Sequence, residues 1–264
     1  MSDEPMESIA FLCRSPARVG ILERVVEGPT RPSDLVDSAA VSRTTVHRTL
    51  TELVDRGWVC RADGDYCVTG TGRKTLEAYE DAVTRFRTVD RLTQFWNHVD
   101  AALGVQLEWL ADATVRTATD QDPHRPLEWY ADQLETLEGD RLRGLLPVVN
   151  SQLLTLYDRL LRDGTRLDVV VQAETAHRAH ERYGPTLLES LASDGDDLTV
   201  TTEALGCGLT LYGETVLLAA YDAGHLVAVV RASHPDLEAW AEDRFHTYRA
   251  DSRPITDTID VARD

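Results

Sequence analysis

The chain has 264 residues, 42% of them hydrophobic and 27% charged, which is enough for one large or two modest globular domains. A formal net charge of −18 argues at first against a nucleic-acid partner, and no run of about 18 uncharged apolar residues is present to span a membrane. The first 16 residues hold no basic segment followed by an apolar one, so no signal peptide is expected and a cytoplasmic location is.

The charge is unevenly spread. Residues 1–75 hold 10 Arg or Lys against 11 Asp or Glu, whereas residues 76–264 hold 17 against 34. Lys74 is the one lysine beside 26 arginines. Many acids and almost no lysine suggest a protein kept soluble in a salt-loving host, although a GC-rich genome also replaces lysine by arginine. At molar salt the counterion-release contribution to DNA affinity nearly vanishes, so a DNA reader there needs no large basic patch. The cysteines Cys13, Cys60, Cys67 and Cys207 form no CxxC and no structural-zinc spacing, which excludes a disulfide scaffold.

After a polar start, SPARVGILERVVEGP predicts a helix capped by Ser15, opened by Pro16 and stopped at Gly28 and Pro29. TRPSDLVDSA predicts a short second helix burying Leu35 and Val36, and Ala39, Ala40 and Val41 a tight connection. A third helix is expected from the cap Ser42 to Arg56, with Val46, Leu50, Leu53 and Val54 as its inner face and Gly57 as its stop. Asp63-Gly64 between two β-rich runs predicts a hairpin whose two-residue loop sets Ala62 opposite Asp65, Arg61 opposite Tyr66 and Cys60 opposite Cys67. TGRKTLEAYEDAVTRFRTVDRL then predicts a long helix. From about residue 100, ATVRTA, LDVVVQ, DLTVTTEA, CGLTLYG, TVLLAAYD and HLVAVVRAS read as strands among helical stretches such as SQLLTLYDRLLRDG and ETAHRAHERYGPTLLESLA. That alternation predicts βαβ units followed by antiparallel strands, in a mixed sheet covered by helices.

With its apolar residues inward, the helix 42–56 directs Arg43, Thr44, His47, Arg48 and Thr51 outward, with Thr45 near the edge. Arg can bond guanine bidentately and Thr can meet a thymine methyl or a phosphate, and a recognition helix presents such donors in its first turns. Ser42 at its start and Arg61 beside the hairpin turn join this set. Arg31 and Ser33 on the second helix, and Arg73 and Lys74 after the hairpin, are candidate phosphate contacts.

Residues 15–75, through VSRTTVHRTLTELVDRGWV and DGDYCVTGTGRK, resemble the winged-helix domain of many prokaryotic transcription regulators. The resemblance implies sequence-specific binding to double-stranded DNA, usually as a homodimer. LRGLLPVVN, LLRDGTRLDVVVQ, LTLYGETVLLAAYD and EAWAEDRFHTYR resemble the sensor region of archaeal, here haloarchaeal, regulators of the methanogenesis-regulator and TrmB-like type, itself similar to half of a phospholipase-D-like fold. The expected organisation is an α+β winged helix-turn-helix domain at 1–75, a linker and dimerisation helix at 76–100, and an α/β sensor and dimerisation domain at 101–264.

Phospholipase-D chemistry needs a His nucleophile and a nearby Lys on the phosphoryl oxygens. No Lys follows Lys74 and no His lies between His180 and His225, so no enzyme is expected. His177 and His180 with Glu174 or Glu181 have helical spacing but read as a solvated face. Asp222 and His225 read as turn residues, and Trp240, Phe245 and Tyr248 as the docking face of the last helix. No cofactor and no metal site is expected; an unidentified small molecule is the expected effector, with no ligand residues assigned. The facing Cys60 and Cys67 leave open a redox- or metal-responsive regulator, and a winged-helix protein-interaction module is the other alternative.

Overall fold

The computed structural model describes residues 4–39, 42–183 and 197–255, and the chain divides into two compact units, Met1–Phe86 and Arg87–Asp264. Of the connection expected at 39–41, Ala39 instead closes the preceding helix, while residues 40–41 and the later part of the helix expected after residue 183 lie outside the described residues.

The first unit contains α1 (Glu4–Cys13), α2 (Pro16–Glu27), α3 (Pro32–Ala39), α4 (Arg43–Asp55), the hairpin β1 (Val59–Ala62) and β2 (Asp65–Val68), and most of α5 (Gly70–Arg91). Its core joins Ile21, Leu22 and Val25 of α2, Leu35 of α3, Val46, Leu50 and Leu53 of α4, Trp58, Tyr66 and Leu76. The expected cap Ser15 has the extended backbone of an N-cap, but its side chain makes no capping hydrogen bond. The helix α1 was not legible as one, because only Phe11 and Leu12 of its residues are buried. The Phe11 ring is held between the guanidiniums of Arg18 and Arg56, 4.1 and 4.3 Å from its centroid, and meets Trp58 edge-on.

One face assignment changes. Thr49 is 1% exposed and belongs to the inner stripe of α4, whereas Val54 is 37% exposed. Residues 46, 49, 50 and 53 follow the i, i+3, i+4, i+7 spacing that keeps one side of a helix inward, and residue 54 has turned past it.

The hairpin and α5 are locked together at their roots. The Thr69 hydroxyl donates to the Gly57 carbonyl at 2.6 Å and accepts from the Gly72 N–H at 3.0 Å. A Cβ on Gly72 would lie 2.0 Å from the Trp58 carbonyl oxygen, so only glycine lets the first turn of α5 approach the backbone entering β1 this closely.

The second unit contains the end of α5, α6 (Thr93–Trp96), a 3-10 turn (Leu107–Leu110), β3 (Thr114–Thr117), α7 (Arg125–Thr136), β4 (Arg141–Leu146), α8 (Ser151–Arg162), β5 (Arg166–Gln172), α9 (Ala173–Tyr183), β6 (Asp197–Thr201), β7 (Gly208–Tyr212), β8 (Thr215–Asp222), β9 (His225–Ala232), α10 (Pro235–Ala250) and the short β10 (Arg253–Pro254). One helix over 76–100 is therefore not observed. α5 ends at Arg91, and Leu92 and Phe95 are fully buried in the second unit.

The eight strands form one mixed sheet in the order β10-β6-β5-β4-β7-β8-β9-β3. β4, β5 and β6 are parallel, as βαβ crossovers require, and β7, β8, β9 and β3 continue from β4 antiparallel. Strand alternation divides the core. Val169, Val171, Leu217 and Ala219 face one side with Leu153, Leu160 and Ala176, while Val170, Val216, Leu218 and Ala220 face the other with Leu237, Ala241 and Phe245.

Gly72→Ala is expected to cost about 1–3 kcal/mol through overpacking against Trp58. A shifted denaturant midpoint for the first unit checks it; an unchanged midpoint would contradict the close approach.

Candidate functional site

The polar side of α4 is built from its cap. Ser42 has extended backbone, and its hydroxyl accepts from the Thr45 N–H at 3.2 Å and pairs with the Thr45 hydroxyl at 2.9 Å. These two side chains are thus occupied in starting the helix. Arg43, Thr44, His47, Arg48 and Thr51 lie on the exposed side, at i, i+1, i+4, i+5 and i+8. Among the described residues, none donates to or pairs with the side chains of Arg43, His47 or Arg48.

The other cations of this surface have partners. Arg31 pairs with Asp65 at 3.2 Å, and Lys74 with Glu77 at 2.6 Å. Arg73 donates to the Val26 carbonyl at 3.4 Å, Ser33 donates to Asp34, and the Arg61 guanidinium sits 4.9 Å from the centroid of the Tyr66 ring. Arg18 pairs with Glu52 on α4 at 3.2 Å. The Lys74–Glu77 pair is exposed on both sides and weak enough to exchange for a stronger anion, whereas Arg18–Glu52 is part-buried.

No acid occupies the first turn of α4. A helix N-terminus carries partial positive charge, and a cation there costs about 0.3–1 kcal/mol. The sequence places Arg43 there against its own helix dipole. Local stability does not explain that choice.

The hairpin has the expected register, with Cys60 opposite Cys67, Arg61 opposite Tyr66 and Ala62 opposite Asp65. Asp63 and Gly64 both take positive φ, 54° and 91°, as a two-residue hairpin turn demands. Tyr66 exchanges both backbone bonds with Thr30 at 3.0 Å, so Arg61 and Tyr66 form a non-hydrogen-bonded pair and Cys60 and Cys67 the wider hydrogen-bonded one. Cys60 is exposed and Cys67 half-buried, both as free thiols.

In the second unit His177 pairs with Glu181 at 3.4 Å and Arg178 with Glu174 at 2.6 Å along α9. Among the described residues, no three His, Cys, Asp or Glu side chains gather as a metal would require. Phe245 is fully buried and Tyr248 nearly so, with Trp240 packed beside them. The buried Tyr130 hydroxyl bonds Tyr157 at 2.9 Å and Thr210 at 2.7 Å, and burial raises both tyrosine pKa values. Burial also pushes the Cys207 thiol up to about 12, against a smaller opposing effect from Arg244. Asp222 and His225 pair across the β8–β9 turn. His225 also lines a cleft of about 480 Å³ together with Arg178 and Arg182. Sequence reasoning assigned no residue to this cleft.

Residues 6–91 match the family model of the HVO_A0261 N-terminal domain, and residues 123–251 that of the methanogenesis regulatory protein FilR1, middle domain. No curated protein matches the chain. Likenesses to solved structures are loose. TrmBL2, an archaeal chromatin protein reported to show a novel mode of DNA binding, is 13% identical over 96% of this chain and 100% of its own, at a TM-score of 0.40. Nuc, a phospholipase D family member from Salmonella typhimurium, is 9% identical over 54% of this chain and 97% of its own, at 0.41. Phosphatidylserine synthase from Haemophilus influenzae is 11% identical over 54% and 39%, also at 0.41.

Two expectations follow from the geometry. Arg43→Glu should stabilise the first unit by about 0.3–1 kcal/mol in denaturant titrations, because it reverses the clash with the helix dipole; a loss of stability would show that Arg43 has a structural role. Alkylation at pH 8 should label Cys60 in the folded chain but Cys207 only after unfolding; rapid native labelling of Cys207 would contradict its burial.

Proposed function

We propose that this chain is a sequence-specific, DNA-binding transcription regulator of the winged helix-turn-helix kind, working as a cytoplasmic homodimer under the control of a small molecule. The observation that carries the reading is the unpaired, exposed stripe Arg43–His47–Arg48 at the start of α4, opposite a fully buried face. A helix aimed end-first into the major groove offers its first turns to base edges, and these are the turns that hold the arginines and threonines. Arg61 at the hairpin tip, with Arg31, Ser33, Arg73 and Lys74 around it, supplies phosphate contacts that fix position. The likeness to a regulator-family middle domain over 123–251 supports the regulatory part of the reading.

The chemistry of the second unit supports binding and not catalysis. β7 and β8 carry neither the His nor the Lys that phosphoryl transfer needs. Its role here is to favour one arrangement of two chains, since two α4 helices must lie about 34 Å apart to enter successive major grooves. Phe86 on α5 is 70% exposed and Met6 and Ile9 on α1 are 65% and 54% exposed, apolar side chains that a second copy would cover.

Cys60 and Cys67, opposite one another in the hairpin, favour a second reading in which oxidation or a thiophilic metal reshapes the part that meets DNA. Replacing both with Ser separates the two. Loss of an oxidant or metal response with retained DNA affinity supports the second reading, and an unchanged response removes it.

Arg43→Ala and Arg48→Ala should each weaken binding to a genome-selected duplex by about 1–3 kcal/mol and relax base preference at one position, measured by fluorescence anisotropy at host-like salt. Unchanged binding would mean that α4 is not the reader and would favour a protein-interaction module. Phe86→Asp should shift the chain toward monomer in analytical ultracentrifugation and lower duplex affinity; a monomeric parent chain, or no shift, would contradict dimerisation through α5.

A further inference from the structure

The cleft of about 480 Å³ in the second unit lies at the carboxyl end of β4, beginning at Pro147 and Asn150. From β4 the chain runs out through β5 and β6, and it returns at β7 on the other side of β4. Open sheets with parallel strands bind ligands at such a reversal, outside the strand ends, because the connections diverge there and leave a crevice. One wall of the cleft is α9, through Thr175, Arg178, Arg182 and Tyr183, and another is the β8–β9 turn, through His225.

Its charge runs against its surroundings. Residues 76–264 hold twice as many acids as bases, yet among the described residues no Asp or Glu lines the cleft, while two Arg and one His do. Arg178 and Arg182 stand i, i+4 on one face of α9. Arg178 pairs at 2.6 Å with Glu174, and both side chains are more than two-thirds exposed, so the pair can open to a stronger anion. Arg182 lies near the Tyr183 ring and, among the described residues, has no acidic partner. Asn150 caps α8 through its Oδ1, which accepts from the Leu153 N–H at 2.9 Å, so its amide N–H₂ remains for a ligand. The first turn of α8 carries no acid.

The turn adds an independent sign. Two of the hairpin turns among the described residues share a positive-φ residue followed by Gly, Asp63-Gly64 in the first unit and Ala223-Gly224 here. Asp and Asn tolerate that conformation far better than Ala does. Ala223, at φ 45°, accepts the strain in a chain with 45 acids to choose from, and keeps a carboxylate off the cleft.

We propose that this cleft binds a small organic dianion, a compact group bearing two carboxylates or a phosphate, gripped by Arg178, Arg182 and His225. The proposal rests on the reading of the second unit as a sensor and names the chemical class of its signal. Bidentate guanidinium contacts keep directional strength at high salt, where a diffuse charged surface does not.

Titration calorimetry of the full chain at fixed molar KCl tests it, with succinate, glucose 6-phosphate and, as neutral control, glucose. Saturable binding of succinate or of glucose 6-phosphate, with none of glucose, is expected, and the responding anion tells carboxylate from phosphate. The double variant R178A/R182A should weaken that binding at least tenfold. Ala223→Asp should weaken it by a similar factor while leaving or raising Tm, an effect that a turn with a purely structural role would not show. Binding of neither anion, equal binding of glucose, or variants that bind like the parent would overturn the proposal. Because no DNA is present, a failure of the DNA reading leaves the titration interpretable. Duplex affinity left unchanged by a bound anion would count against the sensor role and not against the site.

Discussion

The rotation of α4 about its own axis is the constraint on which the rest depends. Val46, Thr49, Leu50 and Leu53 are all at most 1% exposed, and an α-helix has no freedom to turn once four positions spanning two turns are buried. Arg43, Thr44, His47, Arg48 and Thr51 therefore point outward as a geometric consequence. The Ser42 cap fixes where the helix begins, and the Thr69–Gly72 lock fixes where the hairpin leaves, and the stripe and Arg61 belong to one compact unit.

Net charge is a poor guide to such a surface. The chain carries −18, but residues 1–75 are almost balanced, and among the described residues Arg43 and Arg48 of α4 have no partner, with Arg43 also set against the helix dipole. An unpaired arginine at the positive end of a helix is locally unfavourable, so its presence is not explained by the stability of that helix. The cleft at the end of β4 breaks a local preference too. There, among the described residues, an acid-rich unit places no acid in the lining and accepts a strained alanine in the turn beside it.

Much of the fold was legible in the sequence because its signals are local. Asp63-Gly64 set the hairpin register residue by residue, and the apolar runs of β5, β8 and β9 marked strands buried within a sheet. What escaped depends on tertiary contact. α1 is held by two guanidiniums against Phe11, which no periodicity reports. Thr49 replaces Val54 on the inner face because spacing, and not hydrophobicity, decides which side of a helix is covered. The helix over 76–100 breaks after Arg91 because Leu92 and Phe95 are drawn into the second core. The cleft residues come from α9 and a distant hairpin turn, and only the sheet order brings them together.

Amide hydrogen exchange of the full chain with and without a genome-selected duplex at host-like salt tests the central claim most directly. The expected result is slowed exchange concentrated over residues 42–51 and at the hairpin tip 61–65. Slowed exchange elsewhere, with α4 exchanging as in the free chain, would contradict the assignment of this helix as the surface that meets DNA.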